Sequence, residues 1–445
     1  MCWQLEHAFT LPSQAVPYPR RMSDKEPTGA KTPNRMAGLR VAMALYGDIT
    51  HDSRVMREAE TLCQAGHSVT IYCLSGTPPE GAPFRTIARA PGSSSVLPDG
   101  SSPFLVGRRS SPWAKLTSRV RWVVGYARNI RAWGRWATSA AGDVDVWHAH
   151  DFTGLIAVGP LVRKPCALVY DSHEIFLDTG TAVQLPGPLR RLLAMVERRL
   201  TRRAVALVTV NETYAEVLQR LHPRRTVIVR NCPPRWTPPD PPSSKLRDAC
   251  GLDASTALIL YHGAFIPNRG IEQLAESILG PGLEETHVAM LGFGNLRPEL
   301  ERLRDEPRFG GRLHVLDAVP PDELREWVAS ATSAVSLLQP TRVDHLLSTP
   351  NKLWESLAVG VPVIVSDFPI LRKIVLDDPL GPLGAGCDPS DPVSIAGAIR
   401  AIVEPPPDAR AALRARCLQV AHERWNWETE SARLVELYAG IKPLR

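Results

Sequence analysis

A proline-dense stretch, residues 233–242 (PPRWTPPDPP), divides the 445-residue chain into two halves. Proline fixes φ and removes a backbone donor, so this stretch continues neither a helix nor a sheet, and we interpret it as a semi-rigid linker. On each side of it, short apolar runs alternate with helical segments. Strands that alternate with helices are typical of parallel sheets, so the sequence predicts two α/β domains joined by a hinge.

The apolar runs predict the strands of the two sheets. In the first half we place strands at residues 39–46, 68–74, 144–148, 167–171, 205–210 and 226–230. In the second half we place them at residues 257–262, 287–291, 313–316, 334–338 and 361–365. Residues 76–111 are rich in Gly, Pro and Ser and are interpreted as a loop.

The domain boundaries follow from these elements. Residues 1–37 lack periodicity, so we expect a disordered extension there. The first domain is predicted to span 38–235 and the second 243–420. Residues 421–445 are predicted to form a helix that crosses back to the first domain.

The composition favours a folded protein of the cytoplasm. Hydrophobic residues make up 44% of the chain and charged residues 22%, which excludes a largely disordered protein. No apolar stretch approaches the roughly 18 residues that span a bilayer, and no secretory signal is visible. The eight cysteines contain no C-x-x-C pair, so we expect reduced thiols. The net charge of +6 is compatible with anionic ligands but does not indicate nucleic acid.

Polar side chains follow three predicted strands of the first half, at the edge where open α/β sheets bind ligands. The clusters are Asp48, His51 and Arg54 after the first strand, WHAHD at 147–151 and YDSHE at 170–174. Because alternate residues of a strand share a face, His148 and His150 project the same way. We therefore expect histidines and carboxylates to gather at this edge.

Two interpretations of this gathering remain open beside a substrate site. Isolated histidines are more often structural, whereas His148, His150, Asp171 and His173 together would suit a divalent ion in a metal-dependent hydrolase. The DVD at 143–145 precedes its strand and so lies at the opposite edge of the sheet. The chain has no G-x-G-x-x-G after the first strand and no G-x-x-x-x-G-K-S/T, which argues against nicotinamide dehydrogenases and P-loop enzymes.

The first predicted strand of the second half ends in YHGAFIPNRGIEQL, residues 261–274. Gly263 and Gly270 shape a loop, and Arg269 lies where a helix begins. A helix N-terminus next to a fixed cation forms an anion site. The alternative is a buried pair between Arg269 and a carboxylate.

The segment STPNKLWESLAVGVPVIVSD, residues 348–367, predicts a second such site. Ser348 or Thr349 is expected to cap a helix that has Pro350 near its first turn. Lys352 lies in that turn, where its positive charge is unfavourable beside the positive end of the helix dipole. An anion bound between Lys352 and the helix N-terminus would remove this repulsion. Glu355, one turn along the same face, is placed to accept hydrogen bonds from a ribose diol or to pair with Lys352.

These motifs, with HDSRVMREAETLCQAGHSVT near residue 51 and VIVRNCPP before the linker, resemble the retaining glycosyltransferases of family four. The resemblance covers about residues 39–441 and implies the GT-B fold, in which two Rossmann-like domains face a cleft. It implies that the second domain holds a nucleotide-diphosphate sugar. The acceptor, a polysaccharide or a lipid-linked saccharide, would approach from the first domain. No metal cofactor is required by this resemblance.

The resemblance and the strand-end clusters together point to roles for individual residues. The catalytic candidates are His150, Arg269 and Lys352. The donor-binding candidates are Gly263, Arg269, Thr349, Pro350, Asn351, Lys352 and Glu355. The acceptor-side candidates are Asp48, His51, Arg54 and His173. The sequence departs from the family at Leu347, where a glutamate is frequent, and at Ala264, where an arginine is usual.

A further hypothesis concerns residues 106–140, which hold eight basic residues and five interleaved aromatic residues and no acid. A basic, tryptophan-rich helix can lie on an anionic membrane, which would place the protein at the inner face of the plasma membrane. The alternative is a solvated helix whose aromatic residues face the core. We expect no nucleic-acid partner. Besides the glycosyltransferase, a metal-dependent hydrolase and a non-catalytic nucleotide-sugar-binding module remain as alternatives.

Overall fold

The computed structural model describes residues 38–50, 52–90, 112–179, 182–183 and 185–443, with only the backbone for 112–123. The predicted extension 1–37 and the candidate His51 lie outside these residues.

The first sheet has seven parallel strands in the order β3-β2-β1-β4-β5-β6-β7. The strands are β1 (Arg40–Leu45), β2 (Ser68–Cys73), β3 (Arg85–Ala88), β4 (Val146–His150), β5 (Ala167–Ser172), β6 (Ala206–Thr209) and β7 (Thr226–Ile228). Strand β3 lies within residues 76–111, for which the sequence predicts only a loop. That prediction is wrong because a four-residue, half-exposed edge strand carries no apolar run.

Helices cover both faces of this sheet. They are α1 (Ser53–Gln64), α2 (Pro112–Ala141), α3 (Asp151–Val158), α4 (Gly187–Thr201) and α5 (Glu212–Leu218). Helices α2 to α5 bury apolar side chains such as Trp133, Leu155 and Leu200 on one face. Helix α1 packs on the opposite face through Val55 and Leu62.

The second sheet has six parallel strands in the order β10-β9-β8-β11-β12-β13. The strands are β8 (Ala257–Ala264), β9 (Thr286–Phe293), β10 (Leu313–Asp317), β11 (Ser333–Ser336), β12 (Val363–Ser366) and β13 (Gly384–Cys387). The sequence analysis misses β13 because its residues, GAGC, include two glycines and no β-branched side chain.

The remaining helices follow in chain order. They are α6 (Lys245–Cys250), α7 (Ile271–Ser277), α8 (Arg297–Arg304), α9 (Leu324–Ala329), α10 (Val343–Leu347), α11 (Asn351–Ala358), α12 (Pro369–Val375), α13 (Pro392–Val403), α14 (Pro407–Glu423) and α15 (Trp427–Ala439). Among the helices of the described residues, none combines the length and the apolar character needed to cross a membrane.

The last helix, α15, packs against the first domain. The Trp427 indole N–H donates to the Thr61 hydroxyl at 2.9 Å, across 366 residues of sequence. Leu434, Leu437 and Tyr438 are buried with the strands of the first sheet. The chain therefore leaves the first domain at residue 233 and returns to it at its end.

The carboxyl edges of the two sheets face each other. The Asn211 side chain and the Thr213 hydroxyl both donate to the Leu347 carbonyl, at 2.9 and 2.7 Å. Asn231 donates to the Asn351 side-chain oxygen at 3.0 Å. These contacts confirm the predicted α/β class, with two Rossmann-like parallel-sheet domains that face a cleft.

Candidate active site

The cleft contains a polar cavity of about 590 Å³ that is lined by both domains. Its lining includes Asp48, Arg54, His173 and Glu174 from the first domain and Arg269, Arg342, Asp344, Thr349, Pro350 and Asn351 from the second. The ends of β1 and β5 and the loops after β8 and β11 supply most of these residues. Two of the three polar clusters predicted in the first half therefore meet the loops of the second half in one cavity, as expected of parallel sheets, whereas no residue of 147–151 lines it.

The first-domain wall is organised by the fully buried carboxylate of Asp171. The Arg54 guanidinium donates to both of its oxygens, at 2.9 and 3.0 Å, and also pairs with Glu58 at 3.0 Å. Burial alone would raise the pKa of Asp171, but Arg54 and His173 hold it well below its usual value. Arg54, a candidate for acceptor binding, is itself 3% exposed and is committed to this pair.

His148 and His150 share a face of β4, and their rings stack with centroids 4.6 Å apart. Both are completely buried. His148 Nδ1 lies 2.8 Å from the Tyr438 hydroxyl, and His150 Nδ1 lies 3.4 Å from Asp171 Oδ2. The structure thus places His150 beneath the cavity wall and not among the residues that line the cavity.

His173 reaches the cavity instead. Its Nε2 lies 3.0 Å from Asp171 Oδ2, and its Nδ1 lies 3.4 Å from Asp151 Oδ2. Burial would lower the pKa of His173, but the carboxylates of Asp151 and Asp171 raise it to about 10. His173 is therefore an imidazolium at neutral pH, and it adds a positive charge to the cavity wall.

The sequence suggests His148, His150, Asp171 and His173 as ligands of a divalent ion, whereas the compact group of donor atoms in the structure has Glu58 in place of His173. Glu58, His148, His150 and Asp171 each offer one donor atom, all within 4.8 Å of one another. The Arg54 guanidinium already pairs with both of these carboxylates, so a divalent ion would have to lie against a fixed positive charge. The four residues are also fully buried and present no open position to a substrate. This geometry does not fit the catalytic metal of a hydrolase.

The second-domain wall brings Arg269 and Lys352 together. Both line a smaller cavity of about 150 Å³ beside the Tyr261 ring, and Lys352 Nζ lies 3.7 Å from the centroid of that ring. Among the described residues, neither cation pairs with a carboxylate within 4.0 Å. Burial, followed by repulsion from Arg269, lowers the pKa of Lys352 to about 7. The alternative considered for Arg269, a buried ion pair with a carboxylate, is not found among the described residues.

The backbone conformation at position 263, beside the Lys352 side chain, favours glycine. Gly263 has φ of +119°, a conformation that side chains rarely adopt, and a Cβ there would lie 3.8 Å from Lys352 Nζ.

Helix α11 carries Lys352 as its second residue and Glu355 one turn later. The predicted cap at Ser348 or Thr349 is wrong, because Pro350 occupies the cap position without a side-chain bond. Thr349 instead accepts a hydrogen bond from Asn211 of the first domain at 3.3 Å. No side chain therefore caps the N–H groups in the first turn of α11, near Lys352.

Glu355 is held by His262, whose Nε2 lies 3.0 Å from Glu355 Oε2. Burial would raise the pKa of Glu355, but the hydrogen bond from His262 and the nearby cations Arg57 and Lys352 lower it. The side chain is 27% exposed. It is thus an ionised acceptor, not a direct ion-pair partner of Lys352.

Comparison with known proteins gives the family. A model described as "Glycosyl transferase 4-like domain" matches residues 51–232, and one described as "Glycosyl transferases group 1" matches residues 256–404. Together these matches cover well over half of the chain. The chain belongs to the group 1 glycosyltransferases. It is a glycosyltransferase that uses a nucleotide-sugar donor, as the sequence predicts.

This glycosyltransferase is similar to enzymes of known activity, two of which are the following. It is 28% identical over 320 residues to the D-inositol 3-phosphate glycosyltransferase of Xylanimonas cellulosilytica, which covers 68% of this chain and 73% of that protein. It is 24% identical over 400 residues to the glycogen synthase of Mycobacterium tuberculosis, which covers 86% of this chain and 88% of that protein.

Solved structures show the same fold. Sucrose-phosphate synthase from Thermosynechococcus elongatus aligns with a TM-score of 0.66 at 17% identity, over 90% of this chain and 98% of that one. Anabaena HepE in complex with UDP-glucose aligns with a TM-score of 0.61 at 13% identity, over 90% and 99% of the two chains.

Leu347 packs its side chain against the core of the first domain. Three residues earlier, Asp344 lines the cleft cavity and is 7% exposed. Its Oδ2 accepts from Arg342 at 3.0 Å, whereas its buried Oδ1 has no hydrogen-bond partner in the described part of the chain. The sequence analysis misses Asp344, Arg342 and His345, although the polar run RVDH after β11 follows the same strand-end rule as the other clusters.

Proposed function

We propose that the protein transfers a sugar from a nucleotide-diphosphate sugar to a polysaccharide or lipid-linked acceptor with retention of anomeric configuration. One observation supports this most strongly. Arg269 and Lys352 share a cavity at the cleft without a carboxylate partner in the described residues, and the pKa of Lys352 is lowered to about 7. Two unpaired cations beside a helix N-terminus are suited to a diphosphate.

In the proposed reaction the bond between the anomeric carbon and the phosphate oxygen breaks, and its electron pair goes to the diphosphate. Arg269, Lys352 and the first turn of α11 stabilise the charge that develops there. The acceptor hydroxyl attacks the anomeric carbon from the same face, and its proton passes to a phosphate oxygen. Since Arg269 and Lys352, which the bound diphosphate keeps protonated, supply the positive charge, the reaction requires no divalent ion.

The remaining candidates take supporting roles in this proposal. Glu355, ionised and held by His262, accepts hydrogen bonds from the ribose hydroxyls. His173 contributes positive charge to the cavity wall, while both of its ring nitrogens face the carboxylates of Asp151 and Asp171. His150 acts through Asp171, since its side chain does not line the cavity.

The test measures donor binding and transfer separately. A thermal-shift screen with sugar nucleotides identifies the donor, because a ligand of the folded state raises its apparent stability. Transfer is then compared in wild type, Arg269→Ala, Lys352→Ala and the control Lys373→Ala, an exposed lysine of α12. We expect losses of about 10²–10³ in turnover for each of the first two variants and none for the control.

Three outcomes would contradict the proposal. Near-wild-type transfer in both variants would remove the two cations from the mechanism. Binding of a sugar nucleotide without transfer to any acceptor would indicate that the protein is a non-catalytic nucleotide-sugar-binding module. Inversion at the anomeric carbon, measured by NMR of the product, would refute attack from the leaving-group face.

A further inference from the structure

Helices α2 and α4 form the outer surface of the layer that covers one face of the first sheet. Helix α3 lies between them and contacts both. Several of the described side chains of α2 and α4 are exposed.

The described aromatic residues of α2 face the core and not the solvent. Trp133 is 3% exposed and meets the Tyr46 ring edge-on at 5.4 Å, while Tyr126 and Trp136 pack partly buried against the same core. The hypothesis that tryptophans of 106–140 face a membrane is wrong for these side chains. The side chains of Trp113 and Trp122 lie outside the described residues.

The outward face of α2 is basic instead. Arg128, Arg131 and Arg135 are exposed at helical spacing, and the helix contains no acidic residue. Val124, on the same side, is 52% exposed.

Helix α4 presents a similar face that the sequence analysis did not single out. The exposed basic residues of this helix are Arg191, Arg198 and Arg199, and Arg202 directly after it is also exposed. Leu192 and Met195 lie among them, 50% and 62% exposed. The one acid of α4, Glu197, is 1% exposed and accepts from the Tyr170 hydroxyl at 2.8 Å. Four arginines of this region and Met195 also line an open cavity of about 470 Å³.

This combination fits an anionic surface that has an apolar layer beneath it. Guanidinium groups bind phosphates through paired hydrogen bonds. Exposed leucine and methionine side chains gain from transfer to the acyl boundary of a bilayer, whereas a nucleic-acid backbone offers them no apolar partner. No exposed acid on either helix, within the described residues, opposes the approach of negative charge.

We propose that the outer face of α2 and α4 docks the protein on a bilayer that contains anionic phospholipid. Helix α4 follows the loop that starts at His173, so the docking face begins near the edge of the cleft cavity. A docked enzyme would thus hold its cleft near lipid-linked molecules. Only this last point rests on the proposed function, since docking itself involves neither the donor nor the transfer reaction.

The experiment is flotation of the full chain with vesicles of phosphatidylcholine, with and without phosphatidylglycerol. Each arginine near an anionic surface contributes roughly fivefold to partitioning, so Arg198→Gln/Arg199→Gln should bind about 25-fold more weakly. Leu192→Ser/Met195→Ser should bind roughly tenfold more weakly, because two apolar side chains no longer insert. The matched control is Arg302→Gln/Arg308→Gln, which removes two exposed arginines from the second domain and should bind like wild type.

All of these side chains are exposed, so thermal melts of the variants should match that of wild type. No binding to phosphatidylglycerol vesicles, or an equal loss in the second-domain control, would overturn the proposal. Unchanged binding of Leu192→Ser/Met195→Ser would overturn the assignment to a bilayer. Binding of single-stranded RNA that Arg198→Gln/Arg199→Gln abolishes, without vesicle binding, would assign the surface to nucleic acid instead. The assay contains no sugar nucleotide, so its failure is distinguishable from failure of the proposed transfer.

Discussion

Replacing Lys352 by methionine should make the protein more stable and less active. Burial and repulsion from Arg269 lower the pKa of Lys352 from its usual 10.5 to about 7, and the nearby Glu355 offsets this only in part. Each pK unit corresponds to about 1.4 kcal/mol, so the cavity disfavours the charged lysine by at most about 5 kcal/mol. Methionine has a similar length and carries no charge, and it removes this cost.

The pH dependence follows from the direction of the pKa change. Below pH 7 the lysine is charged in the folded and the unfolded chain, and the full cost is present. Between pH 7 and 10.5 the folded chain loses the proton that the unfolded chain keeps, so the cost shrinks, and it vanishes above that range. The stabilisation by Lys352→Met should therefore be largest near about pH 6 and roughly half as large near about pH 9.

Urea unfolding followed by tryptophan fluorescence at the two pH values measures this difference, with the exposed Lys373→Met as control. Transfer by Lys352→Met should fall by about 10²–10³. A variant that is less stable than wild type at the lower pH would refute the reasoning, and so would one whose stability difference is the same at both pH values.

Two further predictions concern the buried ion pair and the absence of a metal requirement. Asp171→Asn leaves Arg54 buried beside a neutral amide and should lower the free energy of unfolding by about 3 kcal/mol, whereas the exposed Asp305→Asn should change it by less than about 1 kcal/mol. Because the pKa of Asp171 is depressed, the stability that its charge contributes is fully present above its usual pKa of 3.8 and is lost as the pH falls below that value. The free energies of unfolding of Asp171→Asn and of wild type should therefore converge at low pH. Transfer should also persist after dialysis against EDTA, and a loss that Mg²⁺ or Mn²⁺ restores would contradict catalysis by the fixed cations Arg269 and Lys352.

The sequence by itself determined the fold class and most of the strand ends. Apolar runs interrupted by helical segments predict parallel sheets, because only a strand buried on both faces is continuously apolar. The proline-dense linker separates the two sheets for a purely local reason, since proline cannot continue either element. His148 and His150 share a face because strand geometry has a period of two. Apolar runs do not predict the short edge strand β3 or the glycine-containing β13, because these strands form by pairing with a neighbouring strand that is already in place.

Only the tertiary structure decided which of the candidate residues reach the cleft. His150 and His173 look alike in sequence, but His150 is completely buried and stacked on His148, whereas His173 lines the cavity beside Asp171. Arg54 pairs with the carboxylate of Asp171, 117 residues away, and Glu355 is hydrogen-bonded to His262, 93 residues away. Arg269 and Lys352 keep no such partner among the described residues. Whether a charged side chain is paired or free depends on contacts between distant segments, and local sequence patterns carry no information about those contacts.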